Sequence, residues 1–417
     1  MSARLGEARP DKSPPALGSA LPVWVKIGLL SFGGPAGQIA LMQDEVVTKR
    51  GWIPSESFDR GLAFSMMLPG PEAQQLATWL GWRLHGLAGG LIAGSAFVVP
   101  GAALMLLLAW IAAAHGDIPL VAAIFAGIQP VVIALVLAAL KKIADRSMKG
   151  PLHWALAAAA FISLWFLGLP FPLVIAAAAL AGFLLPGQRS STISAGRIPW
   201  AHVVGIIGAA VLLISTVFAL AGGSTSPFGG VATLFTTAAL VTFGGAYAVL
   251  PYVAGQAVQI YGWLGPADML NGLAIAEATP GPLILVNTYA GFFAGWSHDS
   301  TVATALATGA LATFYTFAPS FALILAFAPV VERLYQIAWA RRALDGVSAA
   351  VVGVIANLVL FLAAASFFPI GWETPEWPKI VLFLISLPIV FWWKLGMLKL
   401  VGFGICAGVG LYLSGLG

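Results

Sequence analysis

The sequence predicts an all-α integral membrane protein, a helical bundle of two inverted-topology repeats whose helices are broken or re-entrant at Gly/Pro motifs. Three observations carry this. Of 417 residues, 60% are hydrophobic and 9% charged, where a soluble domain carries about 25% charge. The apolar residues fall in long uncharged runs, and a set of Gly, Pro and Trp signatures recurs at fixed spacing. A mean hydropathy of +0.94 excludes a soluble enzyme, a nucleic-acid module and a disordered chain. The single cysteine, Cys406, excludes an internal disulfide framework, a Cys-rich zinc site and a CxxC redox centre. The formal charge of +4 rests on too few charges to indicate a polyanionic partner.

Along the chain, residues 1–20 are rich in Pro, Ser and charge and read as a disordered cytosolic tail. The first apolar stretch is interrupted by Phe32-Gly33-Gly34-Pro35 and has no cleavage pattern, so no signal peptide is expected. Residues 21–188 form the first repeat, 189–230 a linker with one crossing helix, and 231–417 the second repeat. A crossing helix needs about 20 apolar residues, which gives roughly 9 to 13 crossings. Segments 21–42 and 56–85 each satisfy the topology either as full crossings or as re-entrant hairpins. Period-2 alternation is absent, which argues against a transmembrane barrel.

The duplication is explicit. Ser31-Phe32-Gly33-Gly34 returns as Thr242-Phe243-Gly244-Gly245, Gly51-Trp52 as Gly262-Trp263, and Pro69-Gly70-Pro71 as Pro280-Gly281-Pro282, all at a spacing of 211. Pro100 then matches Pro319, and Gly127 matches Gly346, at a spacing of 219. Lys141, Lys142, Arg146 and Lys149 crowd one loop of the first half, and Arg189 and Arg197 follow; these should be cytosolic. The equivalent second-half loop, 369–378, holds Glu373 and Glu376, while Arg333, Arg341 and Arg342 occupy the loop before it. Basic loops on opposite sides of equivalent spans imply inverted repeats, a transporter architecture.

The Pro-Gly-Pro motifs should stop one helix and open the next, with Pro71 and Pro282 at the first helical position. A helix N-terminus left free near the midplane binds an anion without a charged side chain. Gly33, Gly34, Gly244 and Gly245 let a second backbone approach. Gln38, Gln74, Gln75, Asn287 and Thr288 lie near the breaks as potential donors, with interhelical hydrogen bonding as their alternative role. Lys26 either faces the anion or snorkels to the interface.

Together, Phe32-Gly33-Gly34-Pro35, Gly51-Trp52, Leu68-Pro69-Gly70-Pro71 and their second-half reprise resemble the chromate ion transporter family, in its long form with two fused halves. The resemblance covers nearly all of 21–417. It implies export of chromate from the bacterial cytoplasm, resistance to chromate, sulfate as a competing analogue, and a multi-pass inner-membrane protein with a cytoplasmic N-terminus. The family's motifs map onto Phe32, Gly33, Gly34, Pro35, Pro69, Gly70, Pro71, Phe243, Gly244, Gly245, Pro280, Gly281 and Pro282. Position 38, often His in the family's motif, is Gln38 here, which leaves no titratable group there.

Two carboxylates flank the motifs. Glu72 follows Pro71, and Glu277 precedes Pro280; either is a candidate for coupling proton movement to anion movement. Their repeat partners are Leu283 and Met66, so each acid exists in one half alone. No metal-ligand spacing, catalytic Ser or Cys constellation or Walker loop is visible, so no cofactor and no enzymatic activity are expected. The reading is a secondary-active chromate carrier with the lipid bilayer and chromate, or sulfate, as its partners. A homodimer is compatible with it. A sulfate or other small-anion transporter, an anion channel and an intramembrane enzyme are the alternatives.

Overall fold

The computed structural model describes residues 15–32, 34–185, 199–223, 227–243, 245–330, 338–369, 371–393 and 395–415. Residues 1–14 of the expected tail, Gly33, Gly244, Arg333 and, in the 189–230 linker, residues 189–198 (with Arg189 and Arg197) and 224–226 lie outside the described residues. The described chain is helical. Helix α1 (Leu17–Leu30) is followed by α2 (Gly34–Met42), which continues as a π-helical turn over Gln43–Thr48. Then come α3 (Ser55–Ser65), α4 (Glu72–His115), α5 (Pro119–Ser147), α6 (Pro151–Trp165) and α7 (Phe171–Ala181). Helix α8 (Trp200–Leu220) joins the halves. The second half repeats the order as α9 (Pro227–Val241), α10 (Leu250–Ala254, with a π-helical Gly255–Ile260), α11 (Pro266–Ala278), α12 (Val286–Asp299), α13 (Val302–Phe327), α14 (Ala338–Phe367), α15 (Trp377–Pro388) and α16 (Met397–Leu413). Helix α1 starts at Leu17, inside the stretch read as a tail, because Ala20, Val23, Trp24 and Ile27 give it a face that packs into the bundle.

Among the described residues, five helices are long and apolar enough to cross a bilayer: α4, α5, α8, α13 and the Arg342–Phe367 part of α14. The 44-residue α4 is itself two helices, because His85 and Gly86 leave the helical region. Its parts, 72–84 and 87–115, fold back on each other, so that a Cβ on Gly81 would sit 2.3 Å from the Gly89 carbonyl oxygen. In the second half the same hairpin is two separate elements, α12 and α13, with Gly291 against Ala312.

The segments before the Gly/Pro motifs also fold back rather than run on. Lys26 of α1 pairs at 3.0 Å with Glu45 in the π-helical turn after α2, and Gly61 of α3 lies against the Trp79 ring of α4. Gly272 of α11 meets the Tyr289 ring of α12 in the same way. The 11-residue α3 rises roughly 16 Å, about half of a hydrocarbon core. Both 21–42 and 56–85 thus fold as helical hairpins with Gly/Pro tips. The turns are repeated in detail: Gly51 and Gly262 have φ of 62° and 63°, and the amides of Trp52 and Trp263 both donate over 2.9 Å, to Val46 and Ala257.

The two halves interlock. Helix α5 packs on α16, where a Cβ on Gly127 would meet the Gly404 carbonyl oxygen at 2.2 Å; α14 packs on α7, where a Cβ on Gly346 would meet the Ala178 carbonyl oxygen at 2.2 Å. Each half thus places its long helix against the last helix of the other, through glycines at equivalent positions. The equivalent helices α5 and α14 run antiparallel. Gln129, early in α5, bonds Ser366 late in α14 at 3.3 Å, and Lys149, just past α5, bonds Asp345 early in α14 at 3.0 Å. Lys141, Lys142, Arg146, Lys149 and Arg342 consequently share one end of the bundle. Asp117, Glu373 and Glu376 lie toward the other end, with Asp268 in the field of Asp117.

At the basic end, the Glu45 carboxylate is 1% exposed and ringed by Lys49, Lys26 and Arg50 at 2.8, 3.0 and 2.6 Å. The Lys49 ammonium, helped by Lys26 and Arg50, outweighs burial and holds this carboxyl down at about 2.

Substituting Gly127→Val or Gly346→Val should destabilise the protein by about 1–3 kcal/mol through overpacking. Each should lower the thermal unfolding midpoint in detergent, whereas Gly205→Val on α8, where a Cβ meets nothing within 4 Å, should not.

Candidate functional site

The interrupted segments meet in pairs across the two halves. The amide of Gly70 donates to the carbonyl of Thr242 at 2.8 Å, and the amide of Gly281 donates to the carbonyl of Ser31 at 3.0 Å. Gly70 and Gly281 are repeat equivalents, as are Ser31 and Thr242, so the two bonds are one contact made twice. Each hydroxyl then turns back to its own helix, Ser31 to the Ile27 carbonyl and Thr242 to the Ala238 carbonyl. Such i−4 bonding ends the helix with its hydroxyl satisfied and leaves the terminal carbonyl for the opposite half.

Gly70 and Gly281 have φ of 126° and 97°, a region that L side chains rarely adopt. A Cβ on Gly70 would also lie 2.7 Å from Ser320 Oγ. The positive φ followed by an extended Pro71 starts α4 at Glu72, so Pro71 is the N-cap rather than the first helical residue. Pro282 is likewise an N-cap, opening a 3₁₀ turn over Leu283–Leu285 that leads into α12. Neither cap residue makes a side-chain capping bond. Two helix N-termini, one per half, therefore begin at the crossover.

The polar side chains expected near the breaks are present and buried; Gln38 and Gln75 brace backbone carbonyls, and the others bond side chains. Gln38 Nε2 donates to the Gly281 carbonyl at 2.6 Å and to the Ser31 carbonyl at 3.2 Å, so it ties the first break to the second. Its repeat equivalent is Val249. Gln75 Nε2 donates to the Pro69 carbonyl at 2.7 Å. Gln74 donates to Thr78 at 2.9 Å and accepts from Ser320 at 2.7 Å. Asn287 donates to Thr316 at 3.1 Å, and Thr288 shares a bond with Thr313. Gln74, Asn287 and Thr288 thereby link α4 and α12 to α13, while Gln75 holds the carbonyl just before the first break. Lys26 is paired with Glu45. Gly34 and Pro35 open α2, and Gly245 precedes the 3₁₀ turn over Ala246–Ala248; all three are partly exposed beside the crossover.

The two carboxylates differ. Glu277 is 3% exposed and accepts a hydrogen bond from the Tyr247 hydroxyl, in a part of the second half where Pro280, Gly281 and Pro282 are fully buried. Glu72 is only partly covered and lies in the field of Arg146 and Lys142; Arg146 reaches Met66 Sδ at 3.7 Å. The first break thus faces the basic end, and the second is enclosed. Among the described residues, no group of His, Cys, Asp and Glu has metal-binding geometry. What the crossover offers chemically is backbone amides, two helix starts and two acids. Tyr247, Ser31, Thr242 and Ser320 were not singled out from the sequence as site residues. Ser31 and Thr242 head the duplicated motif, which is the one signal that could have found them.

Replacing Gln38 with Leu removes the side-chain bond to Gly281. Stability should fall by about 1–3 kcal/mol because buried carbonyls lose a partner, read as a lower thermal unfolding midpoint of the purified variant in detergent.

The sequence profile described as "Chromate transporter" matches residues 19–183 and 230–411, one match in each half. The chain is 33% identical to a chromate transport protein of Pseudomonas aeruginosa, over 85% of each chain. It is 27% identical to a probable chromate transport protein of Synechococcus elongatus, over 89% of this chain and 94% of that one. It is 26% identical to a chromate transport protein of Cupriavidus metallidurans, over 89% and 87%. No solved structure matches the chain. Two matches in register with the duplicated motifs, and similarity along most of both chains, establish that this protein belongs to the chromate transporter family.

Proposed function

We propose that the protein carries chromate out of the bacterial cytoplasm by secondary-active alternating access, and so confers resistance to it. Chromate comes from the relatives, whose names assign that cargo. The mechanism comes chiefly from one observation, the reciprocal bonds Gly70–Thr242 and Gly281–Ser31 between the broken segments of the two halves. A dianion with four oxygens suits a place where two helices start with uncapped amides, because the positive ends of the helix dipoles favour negative charge. Broken helices in paired positions are the usual location of a transporter's substrate site.

The antiparallel course of α5 and α14 supports inverted repeats, with the basic end in the cytoplasm and the N-terminus there too. In this reading Lys142 and Arg146 raise the local anion concentration at the intracellular mouth, beside Glu72. Rocking one half against the other would exchange the roles of the two breaks. Glu72, open to that mouth, and Glu277, held by Tyr247, are the candidate coupling acids. Sulfate, which shares charge and tetrahedral shape with chromate, should compete.

Everted membrane vesicles containing the protein should accumulate labelled chromate when energised. Uptake should collapse with a protonophore and fall with excess sulfate. No uptake above control vesicles, with intact protein present, refutes the cargo. Full retention of pH-gradient dependence in both Glu72→Gln and Glu277→Gln refutes their coupling role.

A further inference from the structure

Away from the crossover, a cavity of about 670 Å³ opens between the tip of the α6–α7 hairpin, α10 with its π-helical extension, and α14. Its polar lining is Gln256, Gln259, Asn357 and Tyr252, among aromatic residues that include Trp165 and Phe361. Among the described residues, the three carboxamides make no hydrogen bond. Three neutral carboxamides can each turn N–H groups towards an oxyanion, and the lining holds no carboxylate to repel one. The wall is continuous with the crossover through α10, which directly follows the 3₁₀ turn after Gly245.

The repeat makes the cavity more informative. At a spacing of 211, the residue equivalent to Gln256 is Glu45, the carboxylate that is 1% exposed and clamped by Lys26, Lys49 and Arg50. The partners of Asn357 and Phe361, at a spacing of 219, are Ala138 and Lys142. One half therefore carries an ionic clasp, and the other an open, uncharged pocket, at corresponding places. We propose that the cavity is a second anion subsite, the vestibule through which a tetrahedral dianion passes on the side away from the basic loops, and that the Glu45 cluster is its closed counterpart. The proposal rests on the transport reading above and adds where the anion goes after the crossover. Uncharged amides suit a site that must let a dianion go, since a cation there would hold it.

Asn357→Asp places a carboxylate in the pocket and should cut chromate flux about tenfold by like-charge repulsion. A second measurement uses Gln259→Cys in a chain carrying Cys406→Ser, labelled in cells by a membrane-impermeant maleimide. Labelling should slow when sulfate is added; sulfate, unlike chromate, does not oxidise thiols. Parent-like flux in Asn357→Asp, at equal amounts of inserted protein, overturns the proposal. If Asn357→Asp fails to insert, the labelling decides: protection by sulfate supports the subsite and its absence overturns it. Absence of chromate flux in the parent protein is a different result and refutes the transport reading itself.

Discussion

A bilayer offers no water to an unpaired amide or carbonyl, so a helix that stops inside it must find partners for its ends within the protein. Here that constraint is met by exchange between halves. The amide of Gly70 is satisfied by Thr242, and that of Gly281 by Ser31. Everything else at the centre follows from keeping those bonds. The left-handed glycines make the turns, Ser31 and Thr242 fold their hydroxyls back so that their carbonyls stay available, and Gln38, Gln75 and Ser320 hold the neighbouring groups.

The exchange is symmetric in backbone and asymmetric in side chains. Gln38 reinforces the second break and has Val249 as its equivalent. Glu72 and Glu277 each stand alone, one beside the basic end and one locked by Tyr247. Glu45, with its three cations, corresponds to Gln256, which lines a cavity. A duplicated scaffold keeps the two breaks geometrically alike, while unequal side chains give each face its own chemistry.

Much of this was legible in the sequence because the duplicated residues are those with no conformational substitute. Gly70 and Gly281 need positive φ, and Gly127 and Gly346 need room for a crossing helix, so their spacing survived duplication and reports the register directly. Gln38 was legible as a residue near the break, but whether its amide faces a ligand or a carbonyl depends on where the other half's backbone lies. The break at His85-Gly86 carries no proline, yet it falls at the end of the segment 56–85, where Arg83 and His85 precede a long uncharged run. The α6–α7 hairpin tip and Gln256 are far apart in sequence, and nothing local forecasts that they enclose a cavity.

The interlocked packing also bears on how the chain is made. Helices α5 and α14 each rest on the last helix of the opposite half, and each broken segment borrows its hydrogen-bond partner from across the crossover. A ribosome delivers the first half to the membrane well before the second exists. During that interval the hairpin tips have only lipid headgroups, water defects or the insertion machinery to satisfy them. Biogenesis therefore includes an interval in which the breaks of the first half lack the partners they have in the complete chain.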